Sequence, residues 1–214
     1  MKHIAVISHI YANINALQLF LKEIDKNYNV EYIINVGNFI NYNSNPCEVF
    51  DLIMGDKRFI NVLGNVEKDL IDFYLNIYQS NDEIEEKKRL IDILGKSRME
   101  NLITVPLSKS IELYGKNFFI MHSKYDKSFH RGLWEILNYT PIQEMSKKEL
   151  AYVNVDHNYL IVTADYRQEV NGINPFYIQP GAISSTEDKY VRFTIIELKE
   201  NKETIIFKKY AKTH

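Results

Sequence analysis

The sequence has almost no cysteine and no long apolar run. Cys47 is the only cysteine among the 214 residues, so no disulfide can form within the chain, and we expect a protein of a reducing compartment. No stretch approaches the roughly 18 apolar residues of a membrane-spanning helix. Residues 1–3 lead directly into a short apolar segment, without the apolar region or cleavage site of a signal peptide. These absences predict a cytoplasmic protein that does not bind membranes.

The chain also lacks a surplus of basic residues. Lys and Arg number 26 against 28 Asp and Glu, which gives a formal net charge of −2. A nucleic-acid partner is therefore not expected. Hydrophobic residues make up 45% and charged residues 25% of the chain, as in ordinary globular domains. The length predicts a single domain, residues 1–214, with a full core.

Three continuous apolar runs predict buried strands over residues 4–8, 32–36 and 59–63. Helices are predicted between them, one capped by Asn13 and one beginning at Pro46. Because sites in open α/β sheets form beyond the carboxyl ends of the strands, the residues that follow each strand should lie together. The pairs at these ends are Ser8-His9, Gly37-Asn38 and Gly64-Asn65.

The remaining chain is predicted to hold a long helical region and then mostly strands, which indicates a layered α/β sandwich. The predicted segments are helical residues 67–105, a hairpin of 108–113 and 117–121, helices near 130–138 and 146–152, a strand at 159–162 and three strands between 174 and 210.

Six short blocks, taken in order, resemble those of the calcineurin-like metallophosphoesterase superfamily, and more narrowly its small bacterial and archaeal phosphodiesterase branch. Residues 7–13 read Ile-Ser-His-Ile-Tyr-Ala-Asn where that branch has Ile-Ser-Asp-x-His-Gly-Asn. The resemblance implies a four-layer α/β/β/α sandwich. The other five blocks are Gly37-Asn38, Gly64-Asn65-Val66-Glu67, Met121-His122-Ser123, Thr163-Ala164-Asp165-Tyr166 and Gln179-Pro180-Gly181-Ala182.

The resemblance implies a site for two divalent metals that clamp a phosphate and activate a hydroxide between them. Its seven ligand positions normally hold Asp, His, Asp, Asn, His, His and His. Only Asn65 and His122 match this set, and the bridging carboxylate is replaced by the neutral Asn38. We therefore expect the fold without two-metal catalysis. At the seven positions this chain has His9, Tyr11, Asn38, Asn65, His122, Ala164 and Tyr166.

Other interpretations of the surviving residues stay open. His9, Asn65 and His122 could together hold one divalent transition metal, such as manganese, zinc, iron or nickel; otherwise no cofactor is expected. Asn65 fits a turn residue equally well, and His122 fits a strand-end histidine with a hydrogen-bond partner. Asp126, Asp165 or Glu67 could supply a missing carboxylate.

Three functions follow from this pattern. The preferred one is a binding or scaffold module that has lost hydrolysis, as in the retromer subunit of this fold, with a protein partner still to be identified. The second is a phosphodiesterase with a reduced metal site. The third is a sensor that binds a nucleotide or another phosphate-containing small molecule at the backbone amides of Gly37, Gly64 and Gly181. The resemblance also allows a homodimer.

Overall fold

The computed structural model describes residues 1–42, 45–77, 83–122, 159–163, 168–171, 176–184, 190–199 and 202–211. Within these ranges the chain forms two five-stranded sheets and four helices. None of the helices in this part of the chain is both long and apolar enough to cross a membrane.

The first sheet has the strand order β10-β9-β1-β2-β3. Strands β1, β2 and β3 are parallel, whereas β9 runs antiparallel to β1. The strand–helix alternation predicted for the first third is confirmed, including the cap of α1, where the Asn13 side chain accepts a hydrogen bond from the Ala16 amide at 3.0 Å. The elements are β1 Lys2–Ile7, α1 Ile14–Asn27, β2 Val30–Asn35, α2 Pro46–Gly55, β3 Phe59–Asn61, β9 Tyr190–Lys199 and β10 Lys202–Ala211.

The helical region predicted over residues 67–105 contains two helices, α3 (Asn65–Tyr74) and α4 (Ile84–Ile103). The described backbone leaves helical geometry at two places in this region. Asn76 lies in the left-handed region with φ 55°, a conformation that ends helices. Within α4, Gly95 departs from helical geometry with φ 71° and ψ 166°, which a glycine adopts without a steric penalty.

The second sheet has the order β4-β5-β6-β8-β7. The predicted hairpin and the predicted strand that follows it are confirmed. Strand β7 was not predicted, because its four residues contain no apolar run. The helices predicted near 130–138 and 146–152 lie outside the described residues. The strands are β4 Ser108–Leu113, β5 Lys116–His122, β6 Tyr159–Thr163, β7 Gln168–Asn171 and β8 Phe176–Pro180.

Alternating residues of β1 face two different cores. Ala5 and Ile7 pack in the core shared with the helices, whereas Ile4 and Val6 pack in the core between the two sheets. This period of two is that of a strand buried on both faces. The α/β sandwich predicted from the sequence is therefore confirmed, with a helical layer covering one sheet and the second sheet covering its other face.

The loops that follow β2 and β3 touch each other through their backbones. A Cβ atom built on Gly64 would lie 2.1 Å from Asn38 Oδ1 and 2.4 Å from the Asn38 nitrogen, and one built on Gly37 would lie 2.3 Å from the Gly64 nitrogen. Gly37 also has φ +84°. Glycine is therefore required at both positions, and the contact holds the two loops side by side.

We predict that Gly64→Ala destabilises the protein by about 3 kcal/mol, because the new methyl group overlaps the backbone of Asn38 and that loop must move. Equilibrium urea unfolding measures the loss. Gly55→Ala is the matched control, since a Cβ at Gly55 meets no atom within 4 Å and alanine suits a helix better than glycine. Equal losses in the two variants would contradict the proposed contact.

Candidate functional site

Five of the seven predicted ligand positions lie together beyond the carboxyl ends of β1, β2, β3 and β5. The ring centroids of His9 and His122 are 5.3 Å apart, and those of His9 and Tyr11 are 5.4 Å apart. Asn38 Nδ2 lies 2.8 Å from Asn65 Oδ1. These five residues therefore share one crevice at the ends of the strands. Ala164 and Tyr166 lie outside the described residues, as do Asp126 and Asp165.

The backbone around the crevice adopts left-handed conformations at residues that are not glycine. The φ angles are 54° at His9, 50° at Tyr11, 56° at Ala12 and 56° at Asn38. L-residues adopt this region at an energetic cost, and such residues cluster at functional sites. Hydrogen bonds between the loops stabilise the conformation: the His9 amide donates to the Gly37 carbonyl at 3.1 Å, and the Tyr11 amide donates to the Asn38 carbonyl at 3.0 Å.

The Glu67 carboxylate is fully buried and binds the backbone of both neighbouring loops. Its Oε2 accepts hydrogen bonds from the amides of Asn38 and Gly64, both at 2.8 Å, and its Oε1 accepts one from the amide of Ile40 at 2.9 Å. Burial raises the pKa of Glu67, and the hydrogen bonds from the Ile40, Gly64 and Asn38 amides oppose that rise. Glu67 therefore holds the loops in place.

Two expectations from the sequence are corrected by this arrangement. Glu67 was considered as a replacement metal ligand, but both of its oxygens accept hydrogen bonds from backbone amides. The Gly64 amide was considered as a donor to a phosphate, but its hydrogen is donated to Glu67. The signal for Glu67 was present in the sequence, since an acidic residue three positions after a helix N-cap commonly binds the N-cap amide.

The amide group of Asn38 has its orientation set by hydrogen bonds on both sides. Its Oδ1 accepts a hydrogen bond from the Val66 amide at 3.2 Å, so its Nδ2 group points the other way. That group donates to Asn65 Oδ1 at 2.8 Å and lies 3.4 Å from the Tyr11 hydroxyl. The position that would hold the bridging carboxylate therefore presents N–H donors to its neighbours.

His122 is buried and is fixed at both ring nitrogens. Nδ1 donates to the Val36 carbonyl at 2.6 Å, and Nε2 lies 3.1 Å from Asn65 Oδ1. Because Asn65 Oδ1 accepts from Asn38, it faces His122 as an acceptor as well. Both ring nitrogens thus face oxygen atoms, and these two contacts set the orientation of the ring.

His9 is oriented by Ser8. The Ser8 hydroxyl donates to the Gly181 carbonyl at 2.7 Å, so its oxygen accepts a hydrogen bond from His9 Nδ1 at 3.0 Å. A neutral His9 ring then carries its hydrogen on Nδ1 and presents Nε2 as an acceptor. Neither Ser8 nor the Gly181 carbonyl was assigned a role from the sequence, because a strand-end serine has many ordinary functions.

The described residues do not fit a pair of divalent metals. Among them, no three His, Cys, Asp or Glu side chains form a group that could hold a metal ion. Two nearby dications repel each other, and the bridging negative charge that offsets this repulsion is absent because Asn38 is neutral and presents N–H groups. One metal at His9, Asn65 and His122 would have to replace the contact between Asn65 Oδ1 and His122 Nε2.

We predict that Glu67→Gln destabilises the protein by about 2 kcal/mol. The single amide oxygen of glutamine replaces only one carboxylate oxygen, so its NH₂ group faces a backbone N–H and that buried donor loses its acceptor. Urea unfolding measures the change, and Glu85→Gln serves as the control because the Glu85 side chain is 82% exposed. A Glu67→Gln variant as stable as the control would contradict the role given to Glu67.

Comparisons with known proteins agree with this architecture. The model of the calcineurin-like phosphoesterase family matches residues 2–157. The hypothetical protein PH1004 from Pyrococcus horikoshii OT3 is 18% identical, with a TM-score of 0.74 over 96% of this chain and 87% of that one. A metallophosphoesterase from Sphaerobacter thermophilus is 16% identical, with a TM-score of 0.69 over 99% and 90%.

A third similar structure is Vacuolar Protein Sorting 29 from Cryptosporidium parvum. It is 11% identical, with a TM-score of 0.51 over 99% of this chain and 98% of that one. No curated protein matches the sequence. At these identities the solved structures show the fold alone, whereas the family model covers most of the chain. This protein is a member of the calcineurin-like phosphoesterase family.

Proposed function

We propose that this protein is a binding or scaffold module that has the metallophosphoesterase fold and has lost two-metal hydrolysis. One observation carries the proposal: Asn38 occupies the bridging position and directs its Nδ2 group towards Asn65 Oδ1. Hydrolysis by this family's mechanism needs an anionic oxygen at that position to hold two cations close together. An amide N–H donor repels a cation where the carboxylate would attract it.

The His122 ring supports the same conclusion. Its Nδ1 donates to the Val36 carbonyl, and its Nε2 lies 3.1 Å from Asn65 Oδ1. A metal at Nε2 would have to displace that oxygen. The residues that the family uses to bind metals are here bound to one another.

The similar structures are consistent with either a catalytic or a non-catalytic role, since they include a metallophosphoesterase and Vacuolar Protein Sorting 29. A fold hosts many functions, so the choice depends on the side chains of the crevice.

A phosphodiesterase with one metal is the second candidate. It is favoured by the closeness of the His9 and His122 rings, whose centroids are 5.3 Å apart. It requires the Asn65–His122 contact to open and both imidazoles to present a lone pair to the same ion. A cytoplasmic location, a protein partner, a phosphate-containing ligand and a homodimer remain predictions from the sequence.

We expect the purified protein to bind close to no metal and to leave bis(p-nitrophenyl) phosphate intact in the presence of manganese, zinc, iron or nickel. Elemental analysis after removal of excess metal and a colorimetric assay measure the two quantities. The comparison variant combines His9→Asp, Tyr11→His and Asn38→Asp, which restores the family's ligands at three described positions. We expect this variant to bind more metal than the natural chain.

Metal-dependent turnover by the natural chain that His122→Ala abolishes would overturn the proposal. About one bound metal per chain with turnover would establish the one-metal phosphodiesterase in its place. Close to no metal and no turnover supports the binding module.

A further inference from the structure

We propose that a chain of hydrogen bonds centred on Asn65 takes over the part that metal ions play in holding this crevice together. The side chains that these hydrogen bonds link are, in order, Asn38, Asn65 and His122. It links loops of the first sheet to a strand of the second, and it requires no ion. This inference rests on the proposed absence of metals and adds what replaces them structurally.

Asn65 is the centre of the chain because one oxygen contacts two side-chain nitrogens. Asn65 Oδ1 accepts from Asn38 Nδ2 at 2.8 Å and lies 3.1 Å from His122 Nε2. Asn38 belongs to the loop after β2, Asn65 begins α3 after β3, and His122 ends β5. A single amide oxygen thus joins three strand ends.

The link between the sheets has a second strong contact. His122 Nδ1 donates to the Val36 carbonyl at 2.6 Å, and Val36 directly follows β2 of the first sheet. His122 belongs to the second sheet and is 1% exposed. Its ring is therefore held between oxygens of Val36 and Asn65, which follow strands of the first sheet, where water does not compete for the hydrogen bonds.

Asn38, at one end of these linked hydrogen bonds, is itself held in place by Val66 and Glu67. The backbone amide of Val66 donates a hydrogen bond to Asn38 Oδ1, and the buried Glu67 carboxylate accepts one from the backbone amide of Asn38. If the side-chain amide of Asn38 rotated by half a turn, its NH₂ group would face the Val66 N–H and that hydrogen bond would be lost. Asn38 therefore presents a donor to Asn65. The direction of hydrogen bonding through the chain is thereby set, and an acceptor is required at position 65.

The test compares two substitutions of Asn65 by thermal unfolding of the full chain at one pH. Asn65→Asp keeps an oxygen facing Asn38 and His122, and we expect its Tm to lie within about 2 °C of the natural chain or above it. Asn65→Leu has a similar size but no acceptor, so the contacts of Asn38 Nδ2 and His122 Nε2 with Asn65 Oδ1 are both lost. We expect a drop in Tm of roughly 4–8 °C.

Asn65→Ser separates the loss of hydrogen bonds from the bulk of leucine. Its shorter side chain does not reach both donors, so we expect a drop in Tm as well. If Asn65→Leu fails to fold while Asn65→Asp and Asn65→Ser both fold, the result supports the inference. Equal Tm values for the Asp and Leu variants would overturn it.

The same measurements in EDTA and in manganese separate this inference from the proposed function. If hydrogen bonds hold the crevice, EDTA leaves the Tm of the natural chain unchanged. A fall of several degrees in EDTA, recovered by manganese, would show that an ion holds the crevice and would overturn the inference. If the natural chain shows no turnover and the Asn65→Asp and Asn65→Leu variants have equal Tm values, the inference is refuted. The proposed function would then still stand.

Discussion

The buried carboxylate of Glu67 is the contact on which the rest of the crevice depends. It binds backbone amides on both sides of the contact between the β2 and β3 loops, and these loops carry Asn38 and Asn65. A carboxylate that has lost its water must be compensated by several donors, and three backbone amides supply them. Such a contact fixes backbone positions whatever side chains the loops present. The ligand residues could therefore change while the loops kept their shape.

The backbone conformation explains why these side chains share one crevice. Left-handed φ angles at His9, Tyr11 and Asn38 place their side chains together, although none of the three is the residue type that the family resemblance predicts there. At position 38, where the resemblance predicts a carboxylate, the side chain is an amide that donates a hydrogen bond to Asn65 Oδ1.

Much of this could be predicted from the sequence. The apolar runs before Ser8, Gly37 and Gly64 locate three strand ends, and parallel strands bring such ends together. The hairpin around Gly115 and the cap at Asn13 follow from local turn and capping preferences. Strand β7 was missed because a short edge strand carries little periodic signal, and the helix end near Asn76 was missed because no glycine or proline marks it in the sequence.

The sequence by itself determined the family and the order of strands and helices in the first third, because these depend on residue type and local pattern. The loss of carboxylates at positions 9 and 38 remains a prediction from the resemblance. The tertiary structure decided which atoms face each other. Only there does Glu67 meet the Asn38 and Ile40 amides of a distant loop, and only there does Asn38 present its nitrogen to Asn65. Hydrogen-bond direction depends on the position of every neighbouring donor and acceptor, and residues separated by 27 to 57 positions in the chain bring those neighbours together.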